Sequence, residues 1–258
     1  MNKKIALVLP AYNEEQGIAA ALGNVARGMG HFPDYTFELF PIDDGSQDNT
    51  FRVIEAQGQA LGLNCHPHKN PENQGLVRTL KYTYERILAD HHDVDYILKT
   101  DLDADFDQER VLQRLLPYID DYVDVVAGIR WREITREENA YEFERRTEIF
   151  KILTDELGLS KLDPPSAGSQ LYTREAAQQI FAHPTVENYD KRWGLDFLVP
   201  LVARSLDLDV EISAIENGSY DPGRRPEDKV RLQYDTYLEI IGQLVGKSHE
   251  QLSKLYKT

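Results

Sequence analysis

Cysteine is almost missing from this chain of 258 residues: Cys65 stands alone, which excludes an intramolecular disulfide framework and any cysteine-built zinc cluster. Long apolar runs are missing too. Nothing approaches the roughly 18 or more consecutive apolar residues that span a bilayer, so membrane contact is expected to be peripheral at most. The opening "MNKKIALVLPAYNEE" has too short an apolar stretch for a signal peptide, and a cytoplasmic location is the expectation. Positive charge is scarce, with 29 Lys and Arg against 44 Asp and Glu and a formal net charge of -15. That balance argues against nucleic acid as a partner and against a broad attraction to anionic membranes. No G-x-G-x-x-G follows the first apolar run, and no G-x-x-x-x-G-K-[ST] occurs anywhere. Dinucleotide-dependent oxidoreductase and P-loop readings therefore lose their support.

A composition that is 41% hydrophobic and 28% charged fits one globular domain, taken as residues 1–258. Short apolar runs such as "IALVLP", "YTFELFPIDD", "VDYILKTD" and "VDVVAGI" alternate with helix-like stretches. This alternation implies an α/β fold with a Rossmann-like, mostly parallel sheet and helices on both faces. The tail "DKVRLQYDTYLEIIGQLVGKSHEQLSKLYK" reads as a C-terminal helical extension. Ligands of such sheets bind at the carboxyl ends of the strands, and three polar stretches fall there.

"PAYNEE" can be read as a helix start capped by Asn13, and "DDGSQDNT" as an Asp-Gly turn with Asp48 as a cap. "ILKTDLDADFDQERV" asks for more, because Asp101, Asp103, Asp105 and Asp107 recur at every second position. Carboxylates this close repel one another unless solvent or a cation compensates them. An EF-hand is excluded, since its sixth position would be Phe106 and its twelfth Leu112. A hard-cation site for Mg²⁺ or Mn²⁺, with room for a phosphate-bearing ligand, fits better. Cys65, His66 and His68 in "NCHPHKN" read as a plain loop.

Taken in order, "LVLPAYNEEQGI", "PIDDGSQDNT", "NQGLVRTLKYTYERI" and "YILKTDLDADF" resemble the first half of the family 2 glycosyltransferases, enzymes of the GT-A fold. The similarity is greatest to the dolichol- or polyprenol-phosphate sugar transferases. The resemblance implies transfer of a sugar from a UDP- or GDP-sugar, with inversion, by residues 1–130 as the nucleotide-sugar half and 131–258 as the acceptor half. It implies that Pro10, Ala11, Tyr12 and Glu14 line the nucleotide pocket and that Asp43 or Asp44 holds the base or ribose. It puts the metal and diphosphate positions at Asp101, Asp103 and Asp105. A hydroxyl acceptor would need a carboxylate base, for which Asp196 in "RWGLDF" is the candidate. A phosphate acceptor would need arginines instead, and Arg130, Arg132, Arg174, Arg224 and Arg225 are available. Trp193 is a candidate for stacking on sugar or acceptor or for a place in the core. The sequence leaves the acceptor unnamed. Two other readings stand beside transfer: a catalytically silent nucleotide-sugar-binding module and a sugar-1-phosphate nucleotidylyltransferase. The latter would need a glycine-rich, Lys/Arg-containing first loop that "PAYNEEQG" does not supply.

Overall fold

The computed structural model describes residues 2–103, 107–129, 136–137, 139–159, 166–215 and 227–256. The first strand shows why a sheet forms. In β1 (Lys3–Ala11) Ile5, Leu7 and Leu9 enter one apolar cluster while Ala6 and Val8 enter another, so both faces of the strand are buried. β1 pairs in parallel with β2 (Tyr35–Asp43) through α1 (Ile18–Gly30), and β2 pairs with the short β3 (His68–Lys69) through α2 (Thr50–Ala60). On its other side β1 takes β4 (Tyr96–Lys99), reached over α3 (Leu76–Asp90).

After α4 (Gln108–Leu115) come β5 (Val125–Ile129), α5 (Ala140–Leu157), β6 (Ser166–Thr173), α6 (Arg174–Phe181) and a one-turn α7 (Pro184–Glu187). α8 (Leu195–Ser205), β7 (Val210–Ala214), α9 (Glu227–Val245) and α10 (His249–Tyr256) complete the order. The seven strands lie as β3-β2-β1-β4-β6-β5-β7, and β6 runs antiparallel to both its neighbours while the other pairings are parallel. α1 and α4 cover one face, and α3, α5, α6, α8 and α9 cover the other, which bears out the expected mostly parallel, doubly covered sheet. The tail is helical, as α9 and α10.

One local expectation is corrected. Asn13 does not cap α1, which begins at Ile18 behind Gly17; Asn13 sits at φ 56 in the turn before it.

The register of β5 against β6 shifts between Ala127 and Ile129. Gly128 sits at that irregularity, and a Cβ there would lie 2.4 Å from Ile215 Cδ1 and 2.8 Å from the Ser169 carbonyl oxygen. The side chain of Ile215 can move, but the Ser169 backbone is fixed in the sheet. Gly128→Ala is therefore expected to destabilise the fold by about 1–3 kcal/mol, as overpacking does, read as a lowered urea midpoint with an unchanged m-value.

Candidate active site at the carboxyl ends of the strands

β1 and β2 end side by side, with Ala11 opposite Asp43, and the loops that follow are stitched together. Asn13 N–H donates to Ser46 Oγ at 2.8 Å and Gln47 N–H to Asn13 Oδ1 at 3.0 Å. Glu14 N–H reaches Thr50 Oγ1 at 2.7 Å, Glu15 N–H reaches Asp48 Oδ2 at 3.2 Å, and Asn49 N–H returns to Glu15 Oε2 at 2.7 Å. The polar residues of "AYNEE" and "DDGSQDNT" thus satisfy each other's backbone across more than thirty positions of sequence.

The two adjacent aspartates have different surroundings. Asp43 is fully buried: its Oδ1 accepts from Ser46 N–H at 2.8 Å and its Oδ2 faces Lys69 Nζ at 3.3 Å. Of the two aspartates expected at the base or ribose, Asp43 lies outside the cavity lining. Asp44 does line the cavity. Its Oδ1 accepts from Asn70 Nδ2, Gln74 N–H and Thr79 Oγ1 at 2.8, 2.9 and 2.7 Å, and its Oδ2 accepts from Gly75 N–H at 2.9 Å. These bonds hold the loop that leads into α3. Gly45 makes the close approach possible: it sits at φ +73, and a Cβ would fall 2.2 Å from the Glu72 carbonyl carbon.

At the end of β4, Lys99 is entirely buried, and its ammonium meets three acceptors: the Gly168 carbonyl at 2.6 Å, Asp101 Oδ1 at 2.8 Å and Asp196 Oδ1 at 3.1 Å. Burial works to lower its pKa, but the two carboxylates outweigh it and hold the pKa above the ordinary lysine value. Gln108 Nε2 donates to the carbonyls of Asp101 and Asp103 at 3.0 and 2.9 Å, fixing the backbone of the acidic segment. Asp107 accepts from Arg110 N–H at 3.1 Å as the cap of α4. Asp105 lies outside the described residues, as do Arg130, Arg132, Arg224 and Arg225.

One cavity of about 510 Å³ collects most of these groups. Pro10, Ala11, Tyr12 and Glu14 come from the first loop, Asp44 from the second, and Asp101 and Asp103 from the β4 end, with Trp193 closing one side. Trp193 also packs edge-on against Tyr237, so it has both a core and a cavity contact. Asp196 is not a lining residue; it reaches Asp101 through Lys99. Arg174 belongs elsewhere altogether. Its guanidinium donates to the carbonyls of His91 and Leu88 at 2.8 and 2.5 Å, at the amino end of β4, away from the cavity, which corrects its assignment to an acceptor. Among the described residues the arginine that lines the cavity is Arg192, which sequence reasoning passed over; it donates to Asn73 and packs its Cβ against Gly75. Asn73, Gly75, Leu76 and Thr79 were also missed. Lys99 could have been found, because a lysine inside the apolar run "YILK" needs a buried counter-charge.

Among known proteins, the profile of glycosyl transferase family 2 matches residues 6–181. A dolichyl-phosphate beta-glucosyltransferase of Trichomonas vaginalis is 25% identical over 81% of this chain, which spans 62% of that protein. The Homo sapiens dolichyl-phosphate beta-glucosyltransferase is 26% identical over 83% of this chain and 67% of its own length. In three dimensions the chain is similar to glucosyl-3-phosphoglycerate synthase from Mycobacterium tuberculosis in complex with UDP. That match has a TM-score of 0.65 at 17% identity and covers 95% of this chain and 81% of the other. The same synthase with Mn²⁺, UDP-glucose and phosphoglyceric acid gives a TM-score of 0.63 at 16% identity, over 95% and 80% of the two chains.

Replacing Lys99 by methionine keeps the bulk and deletes the cation. Asp101 and Asp196 would then face each other uncompensated, and Lys99→Met is expected to cost about 3 kcal/mol of stability in urea unfolding, the low end for a broken buried pair because both carboxylates keep some water contact. Adding Asp196→Asn should recover part of that loss.

Proposed function

The chain belongs to glycosyl transferase family 2, and we propose that it moves a sugar from a nucleoside-diphosphate donor to an acceptor, with inversion, using a divalent cation held by Asp101 and Asp103. The observation that carries this reading is the meeting of Tyr12, Glu14 and Asp44 with Asp101 and Asp103 around one cavity. UDP is the nucleotide to test first, against GDP, because the Mycobacterium synthase is seen with UDP and UDP-glucose.

An all-carboxylate donor set suits Mg²⁺ or Mn²⁺. Such an ion would supply Lewis acidity toward the diphosphate that departs when the bond to the anomeric carbon breaks. Tyr12, 43% exposed, offers its ring to the base, and Asp44 offers an acceptor oxygen to base or ribose. Asp105 is the third carboxylate expected at the cation. Asp196, held by Lys99 behind Asp101 and outside the cavity lining, would have to turn toward the cavity to serve as base for a hydroxyl acceptor. The relatives' names carry dolichyl phosphate and the synthase is seen with phosphoglyceric acid, so a phosphate-bearing acceptor is the stronger expectation. Its counter-ion would be Arg192; a phosphate oxygen that itself attacks would need no base, whereas a hydroxyl carried on a phosphate-bearing acceptor would. No described helix is long and apolar enough to cross a membrane; we place the enzyme in the cytoplasm, with at most peripheral contact to a membrane that presents its acceptor. A nucleotidylyltransferase is disfavoured by a first loop that carries Glu14 and Glu15 in place of glycines and a cation.

The experiment is a release assay for UDP from UDP-glucose with Mn²⁺, offering a polyprenyl phosphate and 3-phosphoglycerate in parallel. Asp103→Asn is expected to lower turnover by at least about 100-fold and to remove the Mn²⁺ dependence of UDP binding in titration calorimetry, with an unchanged circular dichroism spectrum. Tight UDP binding with Mn²⁺ and no turnover on any acceptor would instead identify a silent nucleotide-sugar module. Transfer to the hydroxyl of 3-phosphoglycerate that survives Asp196→Asn would remove Asp196 from the base role.

A further inference from the structure

At the amino ends of the strands, away from the cavity, three side chains from separate elements converge: Glu38 of β2, His66 of the segment between α2 and β3, and His91 at the end of α3. One ligand-capable atom of each lies within 4.8 Å of the other two. Glu38 Oε2 is 2.9 Å from His91 Nδ1. The His66 ring stacks on Phe40 with centroids 5.0 Å apart and meets His91 edge-on at 5.1 Å. His66 Nε2 is buried and has no hydrogen-bond partner, an uncommon state for a ring nitrogen.

We propose that Glu38, His66 and His91 form a second metal site, for a transition ion of the zinc class, that staples β2, the α2–β3 segment and the end of α3 together. Two imidazoles and one carboxylate are the donor chemistry that Zn²⁺ takes, leaving one position for water, whereas the all-oxygen set at Asp101 and Asp103 suits Mg²⁺ or Mn²⁺. The two sites therefore select different ions. Ligation needs neutral imidazole, and burial lowers the His66 pKa from the ordinary histidine value, in the direction that favours it.

The competitor is Lys4. Its ammonium lies 2.8 Å from Glu38 Oε1 and 2.6 Å from Asp93 Oδ2, so an arriving cation has to push it toward Asp93, which is well exposed and able to keep it. Neutralising Lys4 should consequently strengthen the site, an effect a purely structural cluster would not show.

The test uses the chelator-treated 258-residue chain, titrated calorimetrically with ZnCl₂ and followed by visible absorption with Co²⁺. Expected are one zinc equivalent bound by the native chain and by Asp103→Asn alike, a four- or five-coordinate Co²⁺ spectrum, and a Tm raised by roughly 5 °C at 100-fold excess over Kd. His66→Ala and Glu38→Gln should each weaken zinc binding at least 10-fold, and Lys4→Gln should tighten it several-fold. Absence of zinc binding, binding lost in Asp103→Asn, or binding unchanged in Glu38→Gln would overturn the proposal. If His66→Ala does not fold, Glu38→Gln and Lys4→Gln still decide it, since they must move the affinity in opposite directions.

Discussion

A single buried ammonium organises the site end of this molecule. Lys99 leaves β4 between two faces of packed side chains, where an unpaired charge would be prohibitively costly, and it is stable there because Asp101, Asp196 and the Gly168 carbonyl surround it. Each partner belongs to a different element: the acidic segment after β4, the first turn of α8, and β6. β6 is the strand that runs against the others, so its Gly168 brings a carbonyl toward the carboxyl end of β4. Gly168 itself has φ +70, and a Cβ would sit 2.8 Å from Asp101 Oδ2. The antiparallel insertion, the glycine and the two aspartates together accommodate one cation in the core.

Asp44 plays the complementary part on the other side of the cavity. Its carboxylate takes four donors from the segment Asn70–Thr79, so the loop before α3 is set by hydrogen bonds and has little freedom left. Asn73 and Gly75 are thereby presented beside Arg192, which comes from the loop before α8. Rigid placement of polar groups ahead of a ligand is what electrostatic stabilisation requires, because dipoles that are already oriented need no rearrangement when charge develops.

The doubly buried strands and the acidic segment at the β4 end were legible in the sequence, since short apolar runs and carboxylate density are local properties. The loops "AYNEE" and "DDGSQDNT" read as strand ends that line a nucleotide pocket, with helix capping by Asn13 and Asp48 as the plainer alternative. Asp48 does accept from the Thr50 N–H that opens α2, but Asn13, Glu15 and Asp48 also bond across to each other's loop, and no local pattern announces a partner more than thirty positions away. Arg174 looked like a ligand arginine, yet its guanidinium closes the carbonyl end of α3. Arg192 carried no signal, because "KRWG" has no periodicity and its neighbour Gly75 is more than a hundred positions distant. The histidines of "NCHPHKN" were read within their own loop, whereas His66 finds Glu38 and His91 through the tertiary fold.

Charge at the cavity determines how a donor could enter. Glu14, Asp44, Asp101 and Asp103 give four carboxylates among the described lining residues, against one guanidinium, Arg192. Lys99 offsets part of the charge of Asp101 from behind, and the remaining excess is still negative. The overall charge of -15 adds a background of the same sign that is screened within about 8 Å at physiological salt, so the local groups dominate. A nucleoside diphosphate brings further negative charge, and its approach to this lining is repulsive unless a divalent cation arrives with it or before it. On the proposed reading donor and cation would bind as a coupled pair, and linkage would make the coupling reciprocal: the factor by which the ion raises affinity for the nucleotide would be the factor by which the nucleotide raises affinity for the ion. Carboxylates in excess of the local cations make such a cavity a poor site for either ligand alone and a good one for both together.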